Sequence, residues 1–131
     1  MTETAVRILL VEDEPGVAET VVDLIEMLGY QVKLTDSGER ALELLQGEGP
    51  FDLLISDVVM PGISGIELAT AARRDRPGLS VILTSGFSAA SLEKSRQNLS
   101  EFVFLHKPYS LSDLSRSIQA CIADGGGEAH G

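Results

Sequence analysis

Short runs of consecutive apolar residues alternate along this chain with longer segments in which apolar residues recur every three or four positions. Such runs are typical of strands buried on both faces, whereas the spaced pattern is typical of helices with one apolar side. The runs predict five strands, at residues 6–11, 31–35, 53–57, 79–84 and 102–105. The spaced segments predict a helix after each strand, around residues 17–28, 41–45, 65–74, 89–98 and 111–122.

Strands that alternate with helices indicate an α/β fold in which helices cover both faces of a parallel sheet. Because crossovers between parallel strands are right-handed, few topologies remain. We expect one doubly wound, flavodoxin-like domain of five βα units with strand order 2-1-3-4-5. The 131 residues suit a single domain with one core, which we expect to span residues 5–123. Residues 1–4 would form an amino-terminal extension. Residues 124–131, which include Gly125, Gly126 and Gly127, would form a flexible tail.

Charge and composition narrow the partners of this domain. The chain has 10 Lys and Arg against 20 Asp and Glu, a net charge of −10, which disfavours direct binding to nucleic acid or to an anionic membrane. No apolar run reaches membrane length and the amino terminus does not resemble a signal peptide, so we expect a cytoplasmic protein without a membrane partner. Cys121 is the only cysteine, and its place in a helical apolar pattern predicts a core residue.

Polar residues stand at the ends of four predicted strands: Glu12 and Asp13, Asp57, Thr84 and Lys107. The carboxyl ends of parallel strands meet at one edge of a sheet, so we expect these side chains to share a crevice. Carboxylates this close repel one another unless a cation lies between them, and their hard oxygens suit Mg²⁺.

Two interpretations in which these carboxylates form no functional site remain open at this point. The acidic run after the first strand can be a solvated helix start, and Asp57 can simply cap the next turn. Zinc is disfavoured, because His106, His130 and Cys121 form no cluster of ligand spacing.

In these residues the chain resembles the receiver domain of two-component response regulators, over about residues 5–123. The matching features are Val11-Glu12-Asp13-Glu14-Pro15, Asp57 followed by Met60-Pro61-Gly62 and Gly65, Thr84-Ser85-Gly86, and Phe104 with Lys107-Pro108. The ordered combination of these motifs is specific. The resemblance also implies that the Lys107–Pro108 peptide bond can be cis.

The resemblance implies a role for each residue at the sheet edge. Asp57 would accept a phosphoryl group from a phosphohistidine. Glu12 and Asp13 would hold Mg²⁺ together with Asp57 and the backbone carbonyl of Val59. Thr84 and Lys107 would bind the phosphoryl oxygens. Thr84 and Phe104 would form the switch; the alternative for Phe104 is a permanently buried core ring.

The implied function is signalling rather than enzymatic. A sensor histidine kinase or a histidine phosphotransfer protein would phosphorylate Asp57 in a Mg²⁺-dependent step. The fourth and fifth helices, with the fifth strand between them, would then act on an unknown downstream protein. A phosphorylation-dependent homodimer is compatible with the resemblance. We expect a stand-alone response regulator; the alternative is a receiver module of a hybrid histidine kinase or phosphorelay.

Three other classes fit the sequence less well. A Mg²⁺-dependent phosphatase with an aspartate nucleophile usually has a second acid two residues later, where this chain has Val59. A flavin carrier needs loops that attract phosphate, and Glu12-Asp13-Glu14 would repel it. A DNA-binding regulator needs a basic output domain, which this sequence does not contain.

Overall fold

The computed structural model describes residues 6–47, 50–86 and 102–127 of the chain. Five strands form one sheet in the order β2-β1-β3-β4-β5, and each neighbouring pair is parallel. The predicted flavodoxin-like topology is therefore confirmed. The strands are β1 (Arg7–Val11), β2 (Gln31–Thr35), β3 (Leu53–Asp57), β4 (Ser80–Ser85) and β5 (Val103–His106).

Four helices lie within the described residues: α1 (Pro15–Met27), α2 (Gly38–Gly47), α3 (Gly65–Asp75) and α4 (Leu111–Gly127). The helix predicted at residues 89–98 lies outside the described residues, so α4 corresponds to the fifth predicted helix. The glycine run predicts that this helix ends before Gly125, whereas α4 continues to Gly127. Glycine costs a helix about 1 kcal/mol per residue relative to alanine, which weakens the last turn without forbidding it.

The buried residues form two clusters, one on each face of the sheet, because alternate residues of β1, β3 and β4 point to opposite sides. Leu9, Leu54 and Leu83 belong to the cluster that includes residues of α2 and α3. Ile8, Leu53 and Ile82 belong to the other, with Leu114, Ile118 and Cys121 of α4. Cys121 is 6% exposed, which confirms it as a core residue. Every residue of β3 is buried, so Asp57 ends the central strand of a sheet covered on both faces.

The turn after β3 is shaped by a glycine and a capping box. The backbone N–H of Gly65 donates to the carbonyl of Val58 at 2.8 Å, and a Cβ at Gly65 would collide with the carbonyl of Asp57. Ser64 caps α3 by accepting from the N–H of Glu67, and the Glu67 side chain accepts in return from the N–H of Ser64. These contacts let α3 begin directly beneath the end of β3.

Gly65→Ala should destabilise the fold by roughly 1–3 kcal/mol, because the added methyl forces the loop away from the end of β3. Urea unfolding followed by circular dichroism measures this. Gly16→Ala in α1 is the matched control, since nothing lies within 4 Å of its added Cβ. That control should be neutral or up to about 1 kcal/mol more stable. Equal stabilities for the two variants would contradict the close approach at Gly65.

Candidate functional site

The register of the strands brings the predicted site residues to one edge of the sheet. Asp57 is level with Thr84, and Ser85 with His106, the residue before Lys107. On the other side of β3, Val11 is level with Ser56, which places Glu12 next to the end of β3. The crevice that the sequence predicted therefore forms at the carboxyl edge of the sheet.

Three carboxylates occupy this crevice. One oxygen each from Glu12, Asp13 and Asp57 lies within 4.8 Å of the others. Glu12 and Asp57 are 6% and 8% exposed, whereas Asp13 is exposed to solvent. Negative charges this close together, two of them buried, repel one another unless a cation is shared between them. The donor set fits Mg²⁺, which takes one or two carboxylates and keeps exposed coordination positions for water or phosphate oxygens.

Glu12 is a buried acid whose surroundings favour its neutral form. Burial is the main cause that raises the pKa of its carboxyl, and the negative charges of Asp57 and Asp13 add to the rise. A hydrogen bond from the N–H of Glu14 to its Oε2 (3.2 Å) and the positive charge of Lys107 oppose the rise without cancelling it. The ionised form of Glu12 is thus held at a free-energy cost, which a bound cation would reduce.

Lys107 supplies the positive charge of the site. Its Nζ donates to Oδ2 of Asp57 at 2.8 Å, and its backbone N–H donates to the carbonyl of Ser85 at 2.7 Å. Partial burial lowers the pKa of Lys107, but the hydrogen bond and the charge of Asp57 outweigh it, so the net pKa is raised. The Lys107–Pro108 peptide bond is cis, as the sequence resemblance implied.

The remaining predicted residues surround Asp57 in different ways. Thr84 is 3% exposed, and its carbonyl accepts from the N–H of Val58 at 2.8 Å. Val59 is 58% exposed. Phe104 is half-buried and packs against the cluster on the α2 and α3 side of the sheet. Its ring is therefore neither fully enclosed nor free in solvent.

Two contacts of the site were missed by the sequence analysis. The hydroxyl of Ser56, which is completely buried, donates to the carbonyl of Asp57 at 2.9 Å and fixes the backbone at the end of β3. A serine inside an otherwise apolar strand was the available signal. The ring Nε2 of His106 lies 3.1 Å from the carbonyl of Gly86, so the end of β5 is tied to the segment after β4. No residue pattern marks that contact.

Among the described residues, no helix is long and apolar enough to cross a membrane.

The chain is 40% identical over 113 residues to the response regulator receiver protein CpdR of Brucella abortus, a match that covers 86% of this chain and 93% of that relative. It is 34% identical over 113 residues to the sensor kinase CckA of the same organism, but there it covers 12% of the relative.

A solved structure of the response regulator protein TrrA from Thermotoga maritima, in complex with Mg²⁺ and BeF, is 29% identical. It superposes with a TM-score of 0.75 over 88% of this chain and 98% of that one. The sequence profile of the response regulator receiver domain matches residues 8–119. The fold, the acidic crevice and this match lead to one conclusion: the chain belongs to the receiver domain family of two-component response regulators.

Proposed function

We propose that Asp57 accepts a phosphoryl group from a phosphohistidine in a Mg²⁺-dependent step. The charged neighbours of Asp57 support this proposal: its carboxylate pairs with Lys107 at 2.8 Å and lies beside Glu12 and Asp13. A carboxylate oxygen attacks the phosphorus, a new P–O bond forms, and the P–N bond to the histidine breaks with its electrons returning to the ring. Little further covalent chemistry is needed, so positioning and charge compensation provide the catalysis.

Each neighbour of Asp57 has a distinct task in this proposal. Glu12, Asp13, Asp57 and the backbone carbonyl of Val59 would hold Mg²⁺, which would compensate the charge of the incoming phosphoryl oxygens. A phosphoryl group adds about −1.5 to −2 charge, so a second cation is also required. Lys107 already points at Asp57 and exchanges its carboxylate partner for a phosphoryl oxygen. The crystallised complex of TrrA with Mg²⁺ and BeF supports this assignment of the metal.

Thr84 and Phe104 form the switch in this proposal. The Thr84 hydroxyl turns toward the new oxygens, and the space it leaves is filled by movement of Phe104. The half-buried position of Phe104 supports a ring that changes its depth. Since phenylalanine has no hydroxyl, the change is transmitted by packing alone. The downstream protein then binds the face made by β5, α4 and the helix predicted at residues 89–98, which lies outside the described residues.

The phosphoryl donor is a sensor histidine kinase or a histidine phosphotransfer protein. A cleft of about 690 Å³ beside Lys107 supports a docking place for it, with Val17 and Val21 of α1 on one wall and Tyr109 and Leu111 on the other. Mostly apolar walls next to the reacting carboxylate suit a helix that carries a phosphohistidine.

The chain acts as a stand-alone, cytoplasmic response regulator in this proposal, and it is a phosphoryl acceptor rather than an enzyme with its own substrate. The coverage of 93% of CpdR supports the stand-alone form. A receiver module of a hybrid histidine kinase is the second candidate, and the similarity to CckA favours it. The exposed Val59, in place of a second acid, argues against a phosphatase.

Acetyl phosphate with Mg²⁺ should add one phosphoryl group to the wild-type protein and none to Asp57→Asn, as measured by intact mass. Asp52→Asn is the matched control, because it removes the same charge from an exposed residue at the opposite end of β3 and keeps an acceptor for the N–H of Arg7. The control should be phosphorylated like the wild type. An equal mass gain in Asp57→Asn would show that another residue is the acceptor.

Glu12→Gln should make the metal-free protein more stable near neutral pH, because it removes a buried charge but keeps an acceptor for Glu14. The folded state raises the pKa of Glu12, so the wild type loses stability relative to the variant as pH rises through that raised pKa. The difference in stability between Glu12→Gln and the wild type should therefore disappear below the ordinary pKa of glutamate. Thermal melts at several pH values measure it, and Mg²⁺ should stabilise the wild type more than Glu12→Gln. A variant less stable at neutral pH would contradict the cost assigned to burial.

Self-dephosphorylation should be slow, because neither Val59 nor Gly86 can orient a water behind the phosphorus through its side chain. Val59→Asn adds one such group at an exposed position, and one net hydrogen bond of about 1 kcal/mol corresponds to roughly fivefold faster decay. Decay is followed by intact mass after the phosphodonor is removed. Gly86→Glu tests the second position in the same way. Fast wild-type decay that neither substitution increases would contradict this explanation.

A further inference from the structure

The loop at residues 58–64 joins Asp57 to α3 and contains Val59, whose carbonyl the proposed function assigns to Mg²⁺. The α3 end of this loop is held by the bond from Gly65 to Val58 and by the Ser64 capping box. Its middle turns at Gly62, where φ is +80°, a value that residues with a Cβ rarely adopt. This middle part contacts a different element of the fold, the first turn of α2.

Two residues of α2 interlock with two residues of the loop. The Oε2 of Glu39 accepts a hydrogen bond from the backbone N–H of Ile63 at 3.1 Å. A Cβ at Gly62 would lie 2.6 and 2.8 Å from the two carboxylate oxygens of Glu39, so this carboxylate rests directly against the Gly62 backbone. A Cβ at Gly38 would lie 2.5 Å from Cγ1 of Ile63, so the Ile63 side chain covers Gly38.

The carboxylate of Glu39 is well suited to hold this loop. It stands in the first turn of α2, where the helix dipole favours a negative charge. Its bond to Ile63 joins an ionised acceptor to a backbone donor, a type stronger than a bond between neutral groups. Only five residues separate Asp57 from Ile63, so a shift at Ile63 is passed to Val59 through a short length of backbone.

We propose that Glu39 is a positioning residue for the metal and phosphoryl site, and this inference rests on the function proposed for Asp57. Glu39 fixes the loop so that the carbonyl of Val59 is presented at the crevice together with Asp13 and Asp57. Mg²⁺ demands nearly ideal octahedral geometry, so a loosened loop lowers its affinity. Groups that orient metal ligands from outside are typically worth tenfold or more in affinity.

Three substitutions of Glu39 separate the effect of side-chain length from the effect of charge. Glu39→Gln keeps the length and an acceptor oxygen but removes the charge. Glu39→Asp keeps the charge but is one methylene too short to meet Ile63 in the same way. Glu39→Ala removes both. Glu43→Ala is the matched control, because Glu43 lies one turn along α2, is exposed, and pairs with Arg40 at 2.8 Å instead of with the loop.

The experiment is a Mg²⁺ titration of each full-length ¹⁵N-labelled protein, followed through the amide signals of Asp57 and Gly65. Hydrogen exchange at the Ile63 amide is measured on the same samples. Glu39→Ala and Glu39→Asp should raise the Kd for Mg²⁺ roughly tenfold and speed exchange at Ile63. Glu39→Gln should fall between the wild type and Glu39→Ala, since a hydrogen bond to a neutral acceptor holds the loop less firmly. Glu43→Ala should stay within about twofold of the wild type.

Wild-type affinity in Glu39→Ala and Glu39→Asp would overturn the inference, even if exchange at Ile63 became faster, because the contact would then be structural only. Glu39→Gln as weak as Glu39→Ala would overturn it too, since charge and not the hydrogen bond would be responsible. A wild-type protein in which Mg²⁺ leaves Asp57 unaffected would instead contradict the proposed function, and the inference would fall with it. The two failures are therefore distinguishable from the wild-type titration alone.

Discussion

Lys107 and Asp57 meet at 2.8 Å across the end of β4 and join the last strand of the sheet to the central one. The pair is partly buried, and removing one partner leaves the other charge uncompensated. Here the pair also offsets the repulsion from Glu12 and Asp13, the other two acids of the crevice. Any group that draws Lys107 away from Asp57 must therefore bring its own compensation, and a phosphoryl group with Mg²⁺ has this part in the proposed function.

The rest of the fold serves this edge of the sheet. Two apolar clusters, one on each face, pack against β1, β3 and β4. Backbone bonds from Val58 to Thr84 and from Lys107 to Ser85 then connect the strand ends across the crevice. The buried polar residues among those described all lie at or next to the carboxyl ends of the strands: Glu12, Thr35, Ser56, Asp57, Thr84 and Ser85.

Much of this arrangement could be predicted from the sequence because it follows from the geometry of parallel strands. Polar residues that end separate buried strands must meet, so the convergence of Glu12, Asp57, Thr84 and Lys107 required no knowledge of loops. The extension of α4 to Gly127 was missed, because glycine favours a helix end without enforcing one.

Contacts between elements far apart in the chain could not be predicted from strand and helix patterns. Glu39 has the pattern of a solvated residue at the start of a helix, and only the folded chain shows it against Gly62 and Ile63. The bond between His106 and Gly86 is of the same kind, since neither residue belongs to a periodic pattern. Such contacts depend on the packing of whole elements and not on local propensity.

In the proposed function, a phosphoryl group on Asp57 draws Lys107 to itself, and the change reaches β5 through Thr84 and Phe104. The most direct measurement is the amide NMR spectrum of the wild type and of Lys107→Ala, each before and after addition of Mg²⁺ and beryllofluoride, which imitates a phosphoryl group. The wild type should show shifts at Asp57 and Thr84 that extend to Phe104 and His106. Lys107→Ala should keep the wild-type fold and lose the shifts in β5. Full propagation to β5 in Lys107→Ala, or no shift at Asp57 in the wild type, would contradict the account.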